Sequence, residues 1–203
     1  MLSKFIMTFM AFFAIMNPIS NLPAFMALVA GDSKDISKKV AQKGIVIAFG
    51  IVVIFTLFGN DLFHIFGITI HALKIAGGIL VALIGYHMIN GVHGPANQNI
   101  NSGKNDPMNV AISPLAMPLL AGPGTIATAI SLSDGGFENK LMTVASFALL
   151  CVITYFLLVS ANKIMALLGK NAMGIITRMM GLILTTIGIQ MLIAGIQGAF
   201  LIK

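Results

Sequence analysis

Two short stretches set polar side chains and helix-breaking residues inside long apolar runs. Asn17-Pro18-Ile19-Ser20-Asn21-Leu22-Pro23 lies in an uncharged run over residues 5–31. Ser113-Pro114-Leu115-Ala116-Met117-Pro118-Leu119-Leu120-Ala121-Gly122-Pro123-Gly124-Thr125 lies in another, over 107–133. Proline lacks a backbone donor and clashes with the preceding turn, and glycine readily leaves helical geometry. In hydrocarbon an unpaired backbone group is costly, so a broken helix needs protein or a wet cavity to receive the freed groups. A helix N-terminus offers N–H donors and about half a positive charge, and a C-terminus offers carbonyls and the opposite sign.

That chemistry fits a zwitterion. The amides of Ser20 and Asn21 follow the first break, and those of Gly124, Thr125 and Ile126 follow the second. Gly122 and Gly124 admit a close approach to the backbone. Carbonyls near Ile15, Met16, Leu120 and Ala121 are the matching acceptors. Donors suit a carboxylate and acceptors an ammonium, the two ends of an amino acid. Neither broken run contains Asp, Glu, Lys or Arg, and a net-neutral ligand needs no counter-charge in so apolar a setting. The candidate substrate contacts are Asn17, Pro18, Ser20, Asn21, Gly122, Pro123, Gly124 and Thr125. Tyr86 and Gln190 join them, because each lies roughly 18 Å along a helix from a basic residue, Lys74 or Arg178, which puts polar atoms near mid-membrane.

The elements that position these residues follow from composition. Of 203 residues, 58% are hydrophobic and 9% charged, against roughly 25% charged in a soluble domain. Uncharged runs cover 5–31, 44–60, 75–103, 107–133, 141–162 and 179–202. A spanning helix needs about 20 largely apolar residues. The pattern predicts an all-α membrane protein with six transmembrane helices, the first and fourth broken. The connections are polar loops at 31–43 and 93–108, a Gly135-Gly136 turn, and a segment over 163–177 between the fifth and sixth spans.

A shift of 104 residues lays 74–92 on 178–196, matching Gly77 with Gly181, Ile79 with Ile183, Leu80 with Leu184, Ile89 with Ile193 and Gly91 with Gly195. At a shift of 105, Pro18 meets Pro123 and Ser20 meets Thr125. The expected organisation is a first three-helix repeat over 1–92, a polar inter-repeat loop over 93–108 and a second repeat over 109–203. Three spans is an odd number, so the second copy is inverted. Lys34, Lys38, Lys39, Lys43, Lys104, Lys163, Lys170 and Arg178 fall on one side, and Lys4, Lys74, Lys140 and Lys203 on the other. The richer side is expected to be cytoplasmic, with both termini outside.

Other chemistry finds little support. His64 with His71, and His87 with His93, lack the carboxylate and cysteine company of a metal site. No Gly-x-Ser-x-Gly, metal-binding motif or nucleotide-binding loop is present, so neither an enzyme nor direct use of ATP is expected, and no cofactor is implied. The lone Cys151 reads as a small apolar residue in the fifth span. Fourteen methionines read as pliant packing. Gly77, Gly78, Gly85, Gly181 and Gly188 read as helix-packing positions. The net charge of +6 is scattered over span ends, which argues topology rather than nucleic acid.

Four motifs in order resemble the MarC family of small bacterial and archaeal membrane proteins. They are Asn17 to Pro23; Phe66-Gly67-Ile68-Thr69 with Leu73-Lys74-Ile75-Ala76-Gly77-Gly78; Pro114 to Pro118 with Ala121 to Ile126; and Arg178 to Gly181 running on to Gln190-Met191 and Gly195-Ile196. Lys74 stands where that family usually has arginine, and Thr69 and His71 depart from its commonest pattern. The resemblance implies six spans in the cytoplasmic (inner) membrane and secondary transport of small neutral amino acids such as glycine and alanine. Coupling to H+ or Na+ is the expected energy source. A channel, or an exporter of other small solutes or drugs on the same fold, is the alternative.

Overall fold

The computed structural model describes residues 2–65, 67–91 and 111–201; the expected inter-repeat loop at 93–108 lies outside them, as do Lys104 and Lys203. Every regular element among the described residues is helical. In chain order these are α1 (Leu2–Met16), α2 (Leu22–Leu28), α3 (Lys34–Ile65), α4 (Ile70–Ile89), α5 (Ala111–Leu120), α6 (Pro123–Ser133), α7 (Phe137–Val159) and α8 (Ala161–Leu201).

Local chemistry sets most boundaries. Asn17 stops α1 with φ of +44°, the left-handed region that asparagine tolerates better than most residues. Pro23 lies in the first turn of α2, where a missing N–H costs nothing. Ser33 accepts from the Ile36 amide at 3.4 Å to start α3, and Asp35 complements the positive end of its dipole. Thr69 accepts from the Ala72 amide at 3.1 Å to start α4, and Gly91, with φ of +72°, follows its end.

Four helical stretches are long and apolar enough to cross a membrane: Lys34–Gly59, Ile70–Ile89, Phe137–Val159 and Asn171–Phe200. Leu2–Met16 is apolar but shorter. The first and fourth expected spans are each split, into α1 with α2 and α5 with α6, at the breaks that the prolines and glycines predict. Two expectations need correction. Most of the expected polar loop at 31–43 is helix, α3 starting at Lys34 with Val40 and Ala41 buried, and the connecting segment 163–177 is helical too, interrupted at Gly169 with φ of 73° and ψ of 166°. Met173 is buried, and Ile164, Met165 and Ile176 pack on the core, so this segment has an apolar face that helix formation buries.

The core joins α1, α2, α3, α5 and α7. Phe12 and Phe147 meet with ring centroids 5.1 Å apart, and Phe49 stacks on Phe147 at 6.4 Å. Met16, Leu22, Leu115 and Leu120 complete it, each almost fully enclosed. α4 and the C-terminal part of α8 pack as an antiparallel pair: Gly78 abuts Gly188, and Gly85 abuts Gly181, with added methyls reaching facing carbonyls at 2.6 Å. This bears out the packing role expected of Gly78, Gly85, Gly181 and Gly188. Gly77 packs instead on α6, where a Cβ would come within 2.6 Å of Ala127.

Contacts also sort the helix ends. Lys4 donates to Asn139 Oδ1 at 3.3 Å, and Lys140 donates to the Leu57 carbonyl at 2.8 Å. His71, near the start of α4, packs against Gly195 and Gly198 near the end of α8. One end of the bundle therefore gathers Lys4, Lys140 and both extremities of the described chain.

Candidate functional site

The two breaks adjoin. A methyl on Gly124, in the first turn of α6, would lie 3.4 Å from Ile15 near the end of α1 and would run into Val81 in mid-α4. Three spans thus converge on one small volume, with residues from the first half (Ile15, Val81) against the second (Gly124).

Each break repairs its freed carbonyl in the same way. Asn21 Nδ2 donates to the Met16 carbonyl at 2.8 Å, and Thr125 Oγ1 donates to the Leu120 carbonyl at 3.2 Å. In both, the last carbonyl of a helix is bound by a polar side chain five residues later. Met16 and Leu120, like Asn21 and Thr125, are 104 residues apart, the shift that relates the third and sixth spans. The two caps are thus spaced by 104 residues, where aligning Pro18 with Pro123 gives 105.

The breaks differ in detail. α5 is a π-type helix, wider than α, and closes with Ala121 N donating to the Ala116 carbonyl at 2.8 Å. Pro118 within it has no N–H to give, so the normal α ladder is interrupted there. The first break is a tight turn instead. Asn17 Oδ1 accepts from the Ser20 amide at 3.4 Å, and the Asn17 carbonyl accepts from the Asn21 amide at 3.3 Å. These bonds correct an expectation: the amides of Ser20 and Asn21 are occupied within the turn and are not open donors.

Open polar groups remain. Asn17 is 3% exposed, and its Nδ2 has no partner; the buried Ser20 hydroxyl also lacks one. Among the described residues the Gly124 and Thr125 amides, at the start of α6, have no hydrogen-bond partner, whereas the Ile126 amide donates to the Gly122 carbonyl at 3.0 Å. Thr128 Oγ1, one turn further along α6, is buried and unpartnered. An unpaired buried donor costs about 1–3 kcal/mol, so such a set is expected where a ligand or water completes it.

The remaining sequence-predicted contacts separate. Pro18, Gly122, Gly124 and Thr125 are buried at the breaks, while Pro123 turns an exposed face outward. Tyr86 is 58% exposed on α4, and Gln190 is exposed on α8, so the structure does not bring these two to the breaks. Their spacing from Lys74 and Arg178 fixes depth but not direction around the helix, and Tyr86 sits more than a full turn beyond Val81, on another face. Sequence reasoning named Ile15 only for its carbonyl and missed Val81 and Thr128 as site neighbours. They are ordinary span residues whose role comes only from tertiary packing. Among the described residues, no group of three or more His, Cys, Asp or Glu side chains converges on a common point.

Apolar helices of spanning length, two further helices broken in mid-run, and buried polar groups at the breaks define a multi-pass integral membrane protein. Residues 2–200 match the MarC family integral membrane proteins, so the chain belongs to the MarC family. It is 35% identical to the UPF0056 membrane protein YvbG of Bacillus subtilis, over 98% of this chain and 97% of that one. It is 37% identical to the UPF0056 membrane protein MJ1677 of Methanocaldococcus jannaschii, over 98% and 99%, and 37% identical to PH0760 of Pyrococcus horikoshii, over 98% and 97%. Relatives therefore occur in both bacteria and archaea. No solved structure matches the chain significantly.

Proposed function

We propose that this protein is a secondary transporter of small neutral amino acids, binding glycine- or alanine-like zwitterions where the two breaks meet. The observation that carries this reading is the pair of side-chain-capped breaks, Asn21 on Met16 and Thr125 on Leu120, lying against each other with buried donors unpartnered around them. Paired broken spans at a repeat interface are the recurrent architecture of such sites. The free amides of Gly124 and Thr125 and the Asn17 amide group suit a carboxylate. The absence of ionised side chains in the breaks suits a ligand of zero net charge.

In this reading the chain crosses the cytoplasmic membrane six times, as inverted halves over 1–92 and 109–203, with both termini outside. The 104-residue register shared by the caps and by the third and sixth spans supports the repeat. The packing of Val81 onto Gly124 corresponds to a closed arrangement, and access requires α4 to move against α6. Transport is coupled to H+ or Na+ rather than to ATP. The protein is not an enzyme.

The test is uptake and counterflow of labelled glycine by purified protein in liposomes. Alanine should compete with glycine, whereas glycinamide, without the carboxylate, and acetate, without the amine, should not. Lysine and glutamate should compete poorly, because burying an uncompensated charge is costly. Equal inhibition by glycinamide and alanine would remove the carboxylate from the account, and non-saturable flux without counterflow would favour a channel.

A further inference from the structure

A groove of about 500 Å³ runs between α3 and α7, lined by Gln42, Ile45, Val46, Phe49, Val152 and Phe156 among others. It lies within the roughly 300–1,000 Å³ of ordinary ligand pockets. Neither break contributes to its lining, so it is separate from the site described above. We propose that it holds an acyl chain of an anionic phospholipid whose phosphate rests on Lys38 and Lys39.

The argument is one of layered chemistry along a single helix face. Gln42, Ile45, Val46 and Phe49 recur every three or four residues, and the same stripe continues one turn earlier at Lys38 and Lys39. From Lys38 to Gln42 the rise is roughly 6 Å, and from Gln42 to Phe49 roughly 10 Å. A visitor travelling inward meets two ammonium groups, then an amide, then only aliphatic and aromatic surface. That order matches phosphate, glycerol ester and hydrocarbon.

The lysines are available. Lys38 and Lys39 are exposed, and neither has an ion-pair or hydrogen-bond partner among the described residues. α7 runs antiparallel to α3, since Lys140 meets Leu57 while Phe147 stacks on Phe49. α3 is 32 residues long, or roughly 48 Å, well beyond a hydrocarbon core of about 30 Å. Its lysine-bearing turns thus reach headgroup level while Val46 and Phe49 stay in the acyl region. A zwitterionic lipid fits the apolar part equally well but leaves the lysines without an anion.

The chain contains no tryptophan, so one introduced residue reports alone. Val152→Trp on α7 and Val46→Trp on α3 place it on opposite walls of the groove, at positions already 54% and 61% exposed; either serves if the other fails to fold. The purified variant is reconstituted with equal fractions of acyl-brominated phosphatidylglycerol or acyl-brominated phosphatidylcholine, which quench on contact. The anionic lipid should quench at lower mole fraction, by roughly fivefold for each lysine engaged. Lys38→Gln with Lys39→Gln should abolish the preference and leave quenching by phosphatidylcholine unchanged. Leu83→Trp, on the exposed face of α4, should show no preference. Equal quenching by both lipids at the groove, or a preference that survives loss of both lysines, overturns the proposal. So does a groove tryptophan that neither lipid quenches, the result expected if a second copy of the chain covers this face.

Discussion

The α4–α8 pair and the broken-helix core solve the same problem by opposite means. In a bilayer, lipid tails are as apolar as leucine, so helices associate through close packing and polar contacts rather than through the hydrophobic effect. α4 and α8 rely on the backbone: glycines at 78, 85, 181 and 188 bring the two helices together with almost nothing between them. Within an apolar 18-residue stretch of each, 22% is buried in α4 and in α8, against 39% in α3 and in α7. The broken core relies on side chains instead, with Phe12, Phe147 and Leu115 filling space and Asn21 and Thr125 binding the freed carbonyls. Smooth glycine-faced helices make a closely apposed pair. Interrupted ones make a place where polar groups are gathered and only partly satisfied.

The sharpest way to break this contrast is to fill the glycine contact. A side chain at Gly188 would meet the Gly78 carbonyl at 2.6 Å and the Ala82 amide more closely still, and backbone cannot step aside as a side-chain tip does. Gly188→Val is expected to cost roughly 3 kcal/mol or more, at the upper end of overpacking, with loss of folded protein in detergent. Gly50→Ala on α3, with nothing within 4 Å of the added methyl, should be neutral or stabilise by up to about 1 kcal/mol through helix propensity. Thermal unfolding of the purified proteins measures both. Equal loss from the two substitutions would mean that the α4–α8 contact is not backbone-limited.

Next in size are the caps. Thr125→Val keeps shape but strips the Leu120 carbonyl of its donor, and Asn21→Ala does the same at Met16. Each should cost about 1–2 kcal/mol, since a buried acceptor loses its partner. Thr125 is the more deeply buried, so it should cost more. Asn17→Ala adds a second expectation. It removes the acceptor for the Ser20 amide and places alanine at φ of +44°, for a loss of roughly 1–3 kcal/mol. Asn17→Asp keeps the acceptor and exchanges the unpartnered amide donor for a carboxyl, whose burial also costs stability. If that donor serves ligand, the folded fraction of the aspartate variant should lose glycine counterflow more than tenfold, beyond what its lower stability explains. Normal counterflow would take Asn17 out of the site.

These experiments bear on what could be read from the chain beforehand. The positions of the breaks were legible, because Pro18, Gly122 and Pro123 act on the backbone wherever they stand. The helix-packing glycines were legible for a similar reason: their only asset is the missing side chain. The caps were not, since a polar residue five positions after a helix end is no recognised motif. The turn at Asn17 was misread, because the Ser20 and Asn21 amides looked free until the asparagine was seen to occupy them. Val81 was invisible, being one valine among many in an apolar span.

Tyr86 and Gln190 provide the smallest expected effect and the cleanest discrimination between depth and direction. Both were placed near mid-membrane by counting from Lys74 and Arg178, and helical rise makes that inference sound. Side-chain direction depends on rotation about the helix axis, which the count does not address. In the structure each side chain lies on an exposed face, the glycines of α4 and α8 occupying the faces between the two helices. Tyr86→Phe and Gln190→Leu each remove a polar group that meets no partner within the described protein. Both variants should unfold within about 0.5 kcal/mol of the parent, as surface substitutions do. Their glycine uptake, measured beside Asn17→Asp in the same liposomes, should match the parent in both rate and half-saturating concentration. A rise in that concentration confined to Tyr86→Phe or Gln190→Leu would return α4 and α8 to the substrate path, and would mean that these helices turn about their glycine contact during transport.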